Sequence, residues 1–335
     1  MNMKTRSLSL SIIFLLVFVR AEAQEANVLA GAKAEGRVVW YSGYSLSLLN
    51  ALTKTFETKY PFIKVDYIRS PDEATLNRIT TEKRAGKVLF DVVNSQLLPM
   101  MLRLNVIAPY RFPGVEVMNP KHKDPSGYWV ALHMQYYVLS FNTKLVPKDH
   151  VPNNWANLLD PKWQGQIGMD PEEFEWLGAM MEYFGEEKAT KLLRGLARQE
   201  IRWHKGHTRL AQFMAAGEFA LSLSYAHRIE DLKKKGAPVD WSRTIKPVVG
   251  SLSKLGLSAA PPHPNGARLL VNFLISKEGQ TEFYRQGHNP LFPGIVPKDS
   301  PLSPAGLEIH VVSPKITLDL NRYANEFDQI FGPRR

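Results

Sequence analysis

Strand, polar turn, helix, and strand again: this order recurs along almost the whole chain, and few folds accommodate it. Arg37-Val38-Val39-Trp40-Tyr41 reads as a short apolar strand followed by Ser42-Gly43, after which Leu49, Leu52 and Phe56 recur at helical spacing until Tyr60-Pro61. Ile63 to Ile68 is the next strand. Ser70-Pro71-Asp72-Glu73 then predicts a capped helix start, with Leu76 and Ile79 continuing the helix to Gly86. Asp91-Val92-Val93 is a third strand and ends at Asn94-Ser95-Gln96. Alternation of this kind predicts a largely parallel sheet with helices on both faces.

The pattern breaks at an extended stretch, Tyr128 to Phe141, and then restarts. Gln166 to Met169 reads as a strand, and Asp170-Pro171-Glu172-Glu173 repeats the cap-Pro-x-Glu start before a helix faced by Trp176, Met180 and Phe184. Leu192, Leu193 and Leu196 mark a second helix. His207-Thr208 opens a third, with Leu210, Phe213 and Met214 as its stripe. Phe219 to Tyr225 is a strand. Lys246 to Ser258 reads as a return crossing, followed by helices over Pro264 to Ile275 and Lys277 to Gln286. The expected fold class is therefore α/β with two lobes joined by two extended hinge crossings. One lobe comprises residues 24–135 with 250–300 and the other 136–249. A tail over 301–335 ends in an amphipathic helix carrying Leu320, Tyr323, Ala324, Phe327 and Ile330 in phase.

Lys4 and Arg6 precede an apolar run from Leu8 to Val19, and Ala21-Glu22-Ala23 fits a small-x-small cleavage site. The run is about a dozen residues, short of the roughly 20 a spanning helix needs. Residues 1–23 are expected to be a signal peptide and the mature chain to begin near Gln24, with no membrane span. Removing it takes away Lys4, Arg6, Arg20 and Glu22, so the net charge falls from +10 to +8. The remaining basic residues are scattered, apart from Lys233-Lys234-Lys235. That run closes a helix before Gly236, where positive charge complements the macrodipole, so no nucleic-acid partner is implied. The absence of cysteine excludes disulfides, thiolate metal sites and cysteine nucleophiles.

No common enzyme motif is present: neither G-x-S-x-G, H-E-x-x-H, a phosphate-binding loop nor G-x-G-x-x-G. His204 and His207 are three apart, but an intervening glycine and an immediate helix start favour a polar loop over a metal site. Polar residues fall instead at strand ends and helix starts: Ser42-Gly43-Tyr44, Ser95-Gln96, Gly206-His207-Thr208 and Tyr225-Ala226-His227. In open α/β sheets the crevice beyond the carboxyl ends of the strands takes ligands, and free N–H groups at helix starts favour an anion there. Four such places spread over both halves predict a cleft.

These residues belong to longer stretches that together resemble the extracellular solute-binding proteins of family 1, in the branch grouped with ferric-iron import. The stretches are Val38 to Ser42, Lys59 to Val65, Ser140 to Val146, Leu158 to Trp163, Gly206 to Thr208, Tyr225 to Arg228, His263 to Arg268 and Ser276 to Gln280. The resemblance spans the mature chain nearly end to end. It implies the type II periplasmic-binding fold, a ligand held between hinged lobes, and delivery to the permease of an ABC (ATP-driven) importer. It also implies a periplasmic, monomeric protein with no catalysis and no cofactor, ferric ion entering only as cargo. Expected to line the cleft are Ser42, Gly43, Tyr44, Ser95 and Gln96 from one lobe, and His207, Thr208, Tyr225 and His227 from the other, with Tyr137 at the hinge beside Tyr136.

Ferric-binding relatives present two adjacent tyrosines at the end of the second-lobe strand. Here Tyr225 is followed by Ala226, so Tyr225 is the one candidate metal ligand at that strand end. A receptor for a small organic anion (a phosphonate, sugar phosphate or carboxylate) remains an alternative, as does a sensor subunit serving a membrane kinase.

Overall fold

A computed structural model describes residues 26–333, so the expectation for residues 1–23 lies outside the described residues. After a helix over 26–35 (α1), the first lobe builds β1 (Arg37–Ser42), α2 (Leu46–Lys59), β2 (Lys64–Arg69), α3 (Asp72–Arg84), β3 (Val92–Ser95), α4 (Leu98–Arg103) and β4 (Ile107–Ala108). The 13-residue β5 (Val130–Asn142) leads into β6 (Ile167–Met169), α5 (Phe174–Phe184), α6 (Glu186–Ala197), β7 (Arg202–Trp203), α7 (His207–Ala216), β8 (Leu221–Tyr225), α8 (Ala226–Lys234) and β9 (Val239–Trp241). The chain returns along β10 (Val248–Ser258) to α9 (Pro264–Ile275) and α10 (Lys277–Arg285), and closes with β11 (Ile309–Val311), α11 (Pro314–Leu318) and α12 (Leu320–Phe331).

The strands form one curled sheet in the order β2-β1-β3-β10-β5-β8-β6-β7. Parallel pairing holds at its two ends, β2-β1-β3 and β8-β6-β7, as the alternation predicts. The middle differs: β10 runs antiparallel to β3 and β5, and β5 antiparallel to β8. The two crossings that interrupt the βα alternation are thus paired with each other, from Val249 opposite Tyr137 to Leu255 opposite Val130, with an irregularity at Ser253/Lys254. Two long strands serving both lobes are what a hinge requires.

Each lobe has an apolar core of its own, and a third cluster runs along the sheet between them. Leu48, Leu49, Leu52 and Phe56 of α2 pack with α9 and α10. Trp176, Met180, Leu193 and Leu196 build the other core, to which α12 adds Tyr323 and Phe327 by packing on α5 and α6. No helix among the described residues is long and apolar enough to cross a membrane.

Two helix starts depart from the expected capping. α3 begins at Asp72 with Pro71 as its cap, and the Ser70 hydroxyl pairs with the Thr75 hydroxyl instead of a helix amide. α5 begins only at Phe174, with Glu173 at its cap position. The carboxylates of Asp72 and Asp170 are engaged elsewhere, in the cleft.

Candidate functional site

The carboxyl ends of β1 and β3 in one lobe, and of β6 and β8 in the other, meet beside the paired crossings. On the first-lobe side the Ser42 hydroxyl accepts the Tyr44 amide (3.1 Å), and Ser95 accepts the Leu97 amide (3.0 Å). Tyr44 is buried, its ring edge-on to Trp40 and its hydroxyl 2.7 Å from Ser253 Oγ on β10. Asp72 Oδ2 accepts the Gln96 amide (3.3 Å), and the Gln96 side chain donates to Gln135 on β5 (3.3 Å). Burial pushes the Asp72 carboxyl up to about 6, against the Ser95 hydroxyl and the Gln96 amide that favour its charged form.

The second-lobe side is built on the turn after β6. Asp170 accepts the amides of Glu172 (3.0 Å) and Gly206 (2.6 Å), so it ties the approach to α5 to the start of α7. Glu173, 1% exposed, bonds His207 Nε2 (3.0 Å). The His207 ring stacks on Tyr225, centroids 3.9 Å apart and 17° from parallel. Tyr225 donates to the Tyr137 hydroxyl (3.2 Å) across the β8–β5 pair. Glu175, 7% exposed, accepts from Ser251 Oγ on β10 (2.6 Å). Lys254, 2% exposed, lies in the field of both Glu175 and Asp72, so carboxylates of the two lobes share one buried cation.

Burial dominates the electrostatics. It raises Glu173, against the pull of His207, and it raises Glu175, against Lys254 and Ser251. It lowers Lys254, which Glu175 and Asp72 oppose. For His207 burial favours the neutral ring, but Glu173 and Asp170 outweigh it and the imidazole sits above its ordinary value. Tyr137 and Tyr225 are both held well above the usual phenol range by burial, with Glu173 and Glu175 adding to it. Glu173 Oε2 is buried with no hydrogen-bond partner, and the buried Thr317 hydroxyl lies against Glu175.

Of the residues expected from sequence, the structure brings Tyr137, His207 and Tyr225 together, and sets Ser42, Gly43, Tyr44, Ser95 and Gln96 around Asp72 on the opposite side. Thr208 points to solvent. His227 lies nearly parallel to Tyr225 at 5.6 Å and stacks on His288 (5.0 Å), which meets His133 edge-on (4.7 Å). His204 packs on Phe213 and Phe219, away from His207, as a loop residue does. Among the described residues no three His, Asp or Glu side chains converge as a metal-holding group. The acidic residues Asp72, Asp170, Glu173 and Glu175, and the buried Lys254, were not legible as site residues. The available signal was the repeated Pro-acid motif, Ser70 to Glu73 and Asp170 to Glu173, at the same place in each α/β half.

Residues 89–313 match the family model described as bacterial extracellular solute-binding protein. An uncharacterized protein of Haemophilus influenzae is 25% identical over 303 residues, covering 85% of this chain and 84% of that one. Iron-bound HitA from Pseudomonas aeruginosa is similar in structure at a TM-score of 0.77 and 21% identity, covering 88% of this chain and 99% of its own. AfuA from Actinobacillus pleuropneumoniae, a periplasmic binding protein solved with exogenous fructose-6-phosphate, matches at a TM-score of 0.77 and 23% identity, over 89% and 99%. These likenesses show the two-lobed type II periplasmic-binding fold.

Proposed function

The chain belongs to the bacterial extracellular solute-binding proteins, and on that premise we propose that it is the periplasmic receptor of an ABC importer, closing its lobes on a small solute and passing it to the permease. The observation that carries this reading is the convergence of polar and charged side chains from both lobes on β5 and β10. Asp72, Ser95 and Gln96 face Glu173, Glu175, His207 and Tyr225 across strands that belong to both lobes. The receptor is expected to act as a monomer.

The same contacts bear on the solute's charge. An anion seeking helix-start amides would have to displace carboxylates already there, Asp72 from the Gln96 amide and Asp170 from the Gly206 amide. A cation would meet those carboxylates directly, beside Lys254, which already lies in the field of Asp72 and Glu175. Ferric ion is a specific second reading, supported by the Tyr137 and Tyr225 hydroxyls 3.2 Å apart, which supply a phenol pair from two strands where sequence offers Tyr225 alone.

Native mass spectrometry of the exported protein, with elemental analysis, tests the reading, together with small-angle scattering before and after the retained solute is removed. A co-purified small solute and a larger radius of gyration after its removal are expected. A chain exported empty, whose dimensions no solute changes, would refute it.

A further inference from the structure

Resting on the receptor reading, we infer that the solute carries an N–H-bearing organic cation, an ammonium or a guanidinium, which docks on Glu173 and Glu175 beside the Tyr137–Tyr225 hydroxyl pair. The two glutamates are 1% and 7% exposed; Glu173 keeps Oε2 with no partner, while the buried Thr317 hydroxyl lies against Glu175. Leaving charge-bearing acceptors buried and unsatisfied is costly, so proteins rarely do so without a use. Glu173 Oε1 is engaged by His207 Nε2 and Glu175 Oε2 by Ser251 Oγ, which holds both carboxylates in place. These contacts come from α7 and from β10, so the acceptors are positioned by two separate elements.

The charge balance points the same way. Buried or half-buried around this point are Asp72, Asp170, Glu173 and Glu175, opposed by His207 and Lys254, while Arg228 is offset by Asp231. Glu172 and Lys205 cancel as an ion pair of 2.7 Å. The cleft therefore carries an excess of negative charge that a bound cation offsets.

The form of the cation follows from the rings. A quaternary ammonium has no N–H to give and depends on an open aromatic face. Tyr225 is already stacked by His207 and His227, and Tyr137 is buried edge-on to both Tyr225 and His207. What the site offers is oxygen acceptors, which suits a donor-rich head such as an ammonium with three N–H groups or a guanidinium with a planar fork.

The test is isothermal titration of the mature protein, freed of retained solute by urea and refolded, with putrescine, spermidine, agmatine, choline, inorganic phosphate, glucose 6-phosphate and ferric citrate. At least one of the first three should bind in the micromolar range or tighter. Glu173→Gln should weaken that binding by roughly ten- to a hundredfold, the loss of a charge-assisted hydrogen bond. Retention of the unfolding temperature in Glu173→Gln assigns the loss to recognition, and Glu175→Gln provides a second variant. Choline should not bind. Binding of choline as tight as that of the amines overturns the N–H requirement. Binding of phosphate, sugar phosphate or ferric citrate with none of the three amines overturns the inference but keeps the receptor reading, because a solute is still captured. Failure of all three amines overturns it whatever else binds. The receptor reading fails separately, through a protein exported without solute and unchanged in its scattering.

Discussion

Acid should weaken this fold through its buried imidazoles, and at His288 the size of the effect can be worked out. The ring is 7% exposed, lies between His227 (5.0 Å) and His133 (4.7 Å), and leaves Nδ1 without a partner. Burial first, and the Arg228 guanidinium second, push it down to about 3. An unfolded histidine titrates near 6.5, so between these values the unfolded chain binds the proton and the fold does not. Stability from this group is therefore complete above about pH 6.5 and declines as pH falls towards the folded value. Between pH 8 and pH 5 the loss is RT ln(1 + 10^1.5), about 2 kcal/mol. His133 and His227 are lowered by the same causes and add in the same direction.

Asp72 opposes them. Its folded value of about 6 lies above the ordinary 3.8, so protonation favours the fold, by roughly 1.4 kcal/mol over the same interval. The stability of the wild-type protein alone would mix these terms. The informative measurement is urea unfolding of wild type and His288→Phe, followed by tryptophan fluorescence at pH 8 and pH 5. Phe keeps an aromatic ring in the stack and cannot titrate. The wild-type minus variant stability should shift by about 2 kcal/mol in favour of the variant on acidification. A difference that does not change with pH would refute the reasoning.

Three further outcomes are expected. Phe327→Ala, which empties a 1%-exposed position packed on Phe174, Trp203 and Phe331, should cost about 3–5 kcal/mol in urea unfolding; a cost below about 1 would show that α12 is not integral to the second-lobe core. Tyr225→Phe should lower stability by only about 0.5–1.5 kcal/mol, the worth of its bond to Tyr137, and should abolish the charge-transfer colour of any ferric-loaded protein; a coloured variant would remove Tyr225 from the metal reading. Glu175→Gln and Lys254→Met should each destabilise more than the double variant's additivity allows, with a coupling of about 1 kcal/mol or more, because each single change leaves the other charge buried alone; additive effects would mean the two do not share a field.

Most of the elements were legible in the sequence because their signals are local. Leu49, Leu52 and Phe56 recur at the helical period and lie on the buried face of α2, and the stripe on α12 buries Tyr323 and Phe327 as its phase predicts. The interruptions at Tyr128 to Phe141 and Lys246 to Ser258 marked the strands that became β5 and β10, because a shared strand has no helix of its own to follow it. Polar residues at strand ends pointed to a cleft for the reason that open α/β sheets leave their carboxyl ends uncovered.

What sequence could not show was which side chains face one another, since that depends on contacts the local period does not encode. Ser70 and Asp170 looked like helix caps, yet Asp170 reaches the Gly206 amide, 36 residues on, and Asp72 the Gln96 amide, 24 residues on. Tyr137 stood in a crossing with no visible partner until β5 and β8 paired and set its hydroxyl against Tyr225, 88 residues away. Glu173 read as part of an ordinary helix start, where acids are favoured, and Glu175 carried no signal at all. Only in the folded lobe do the start of α7 and the strand β10 reach them, engaging one oxygen of each and leaving Glu173 Oε2 buried without a partner. Desolvation is a property of the assembled lobes, so the charge balance of the cleft was decided there.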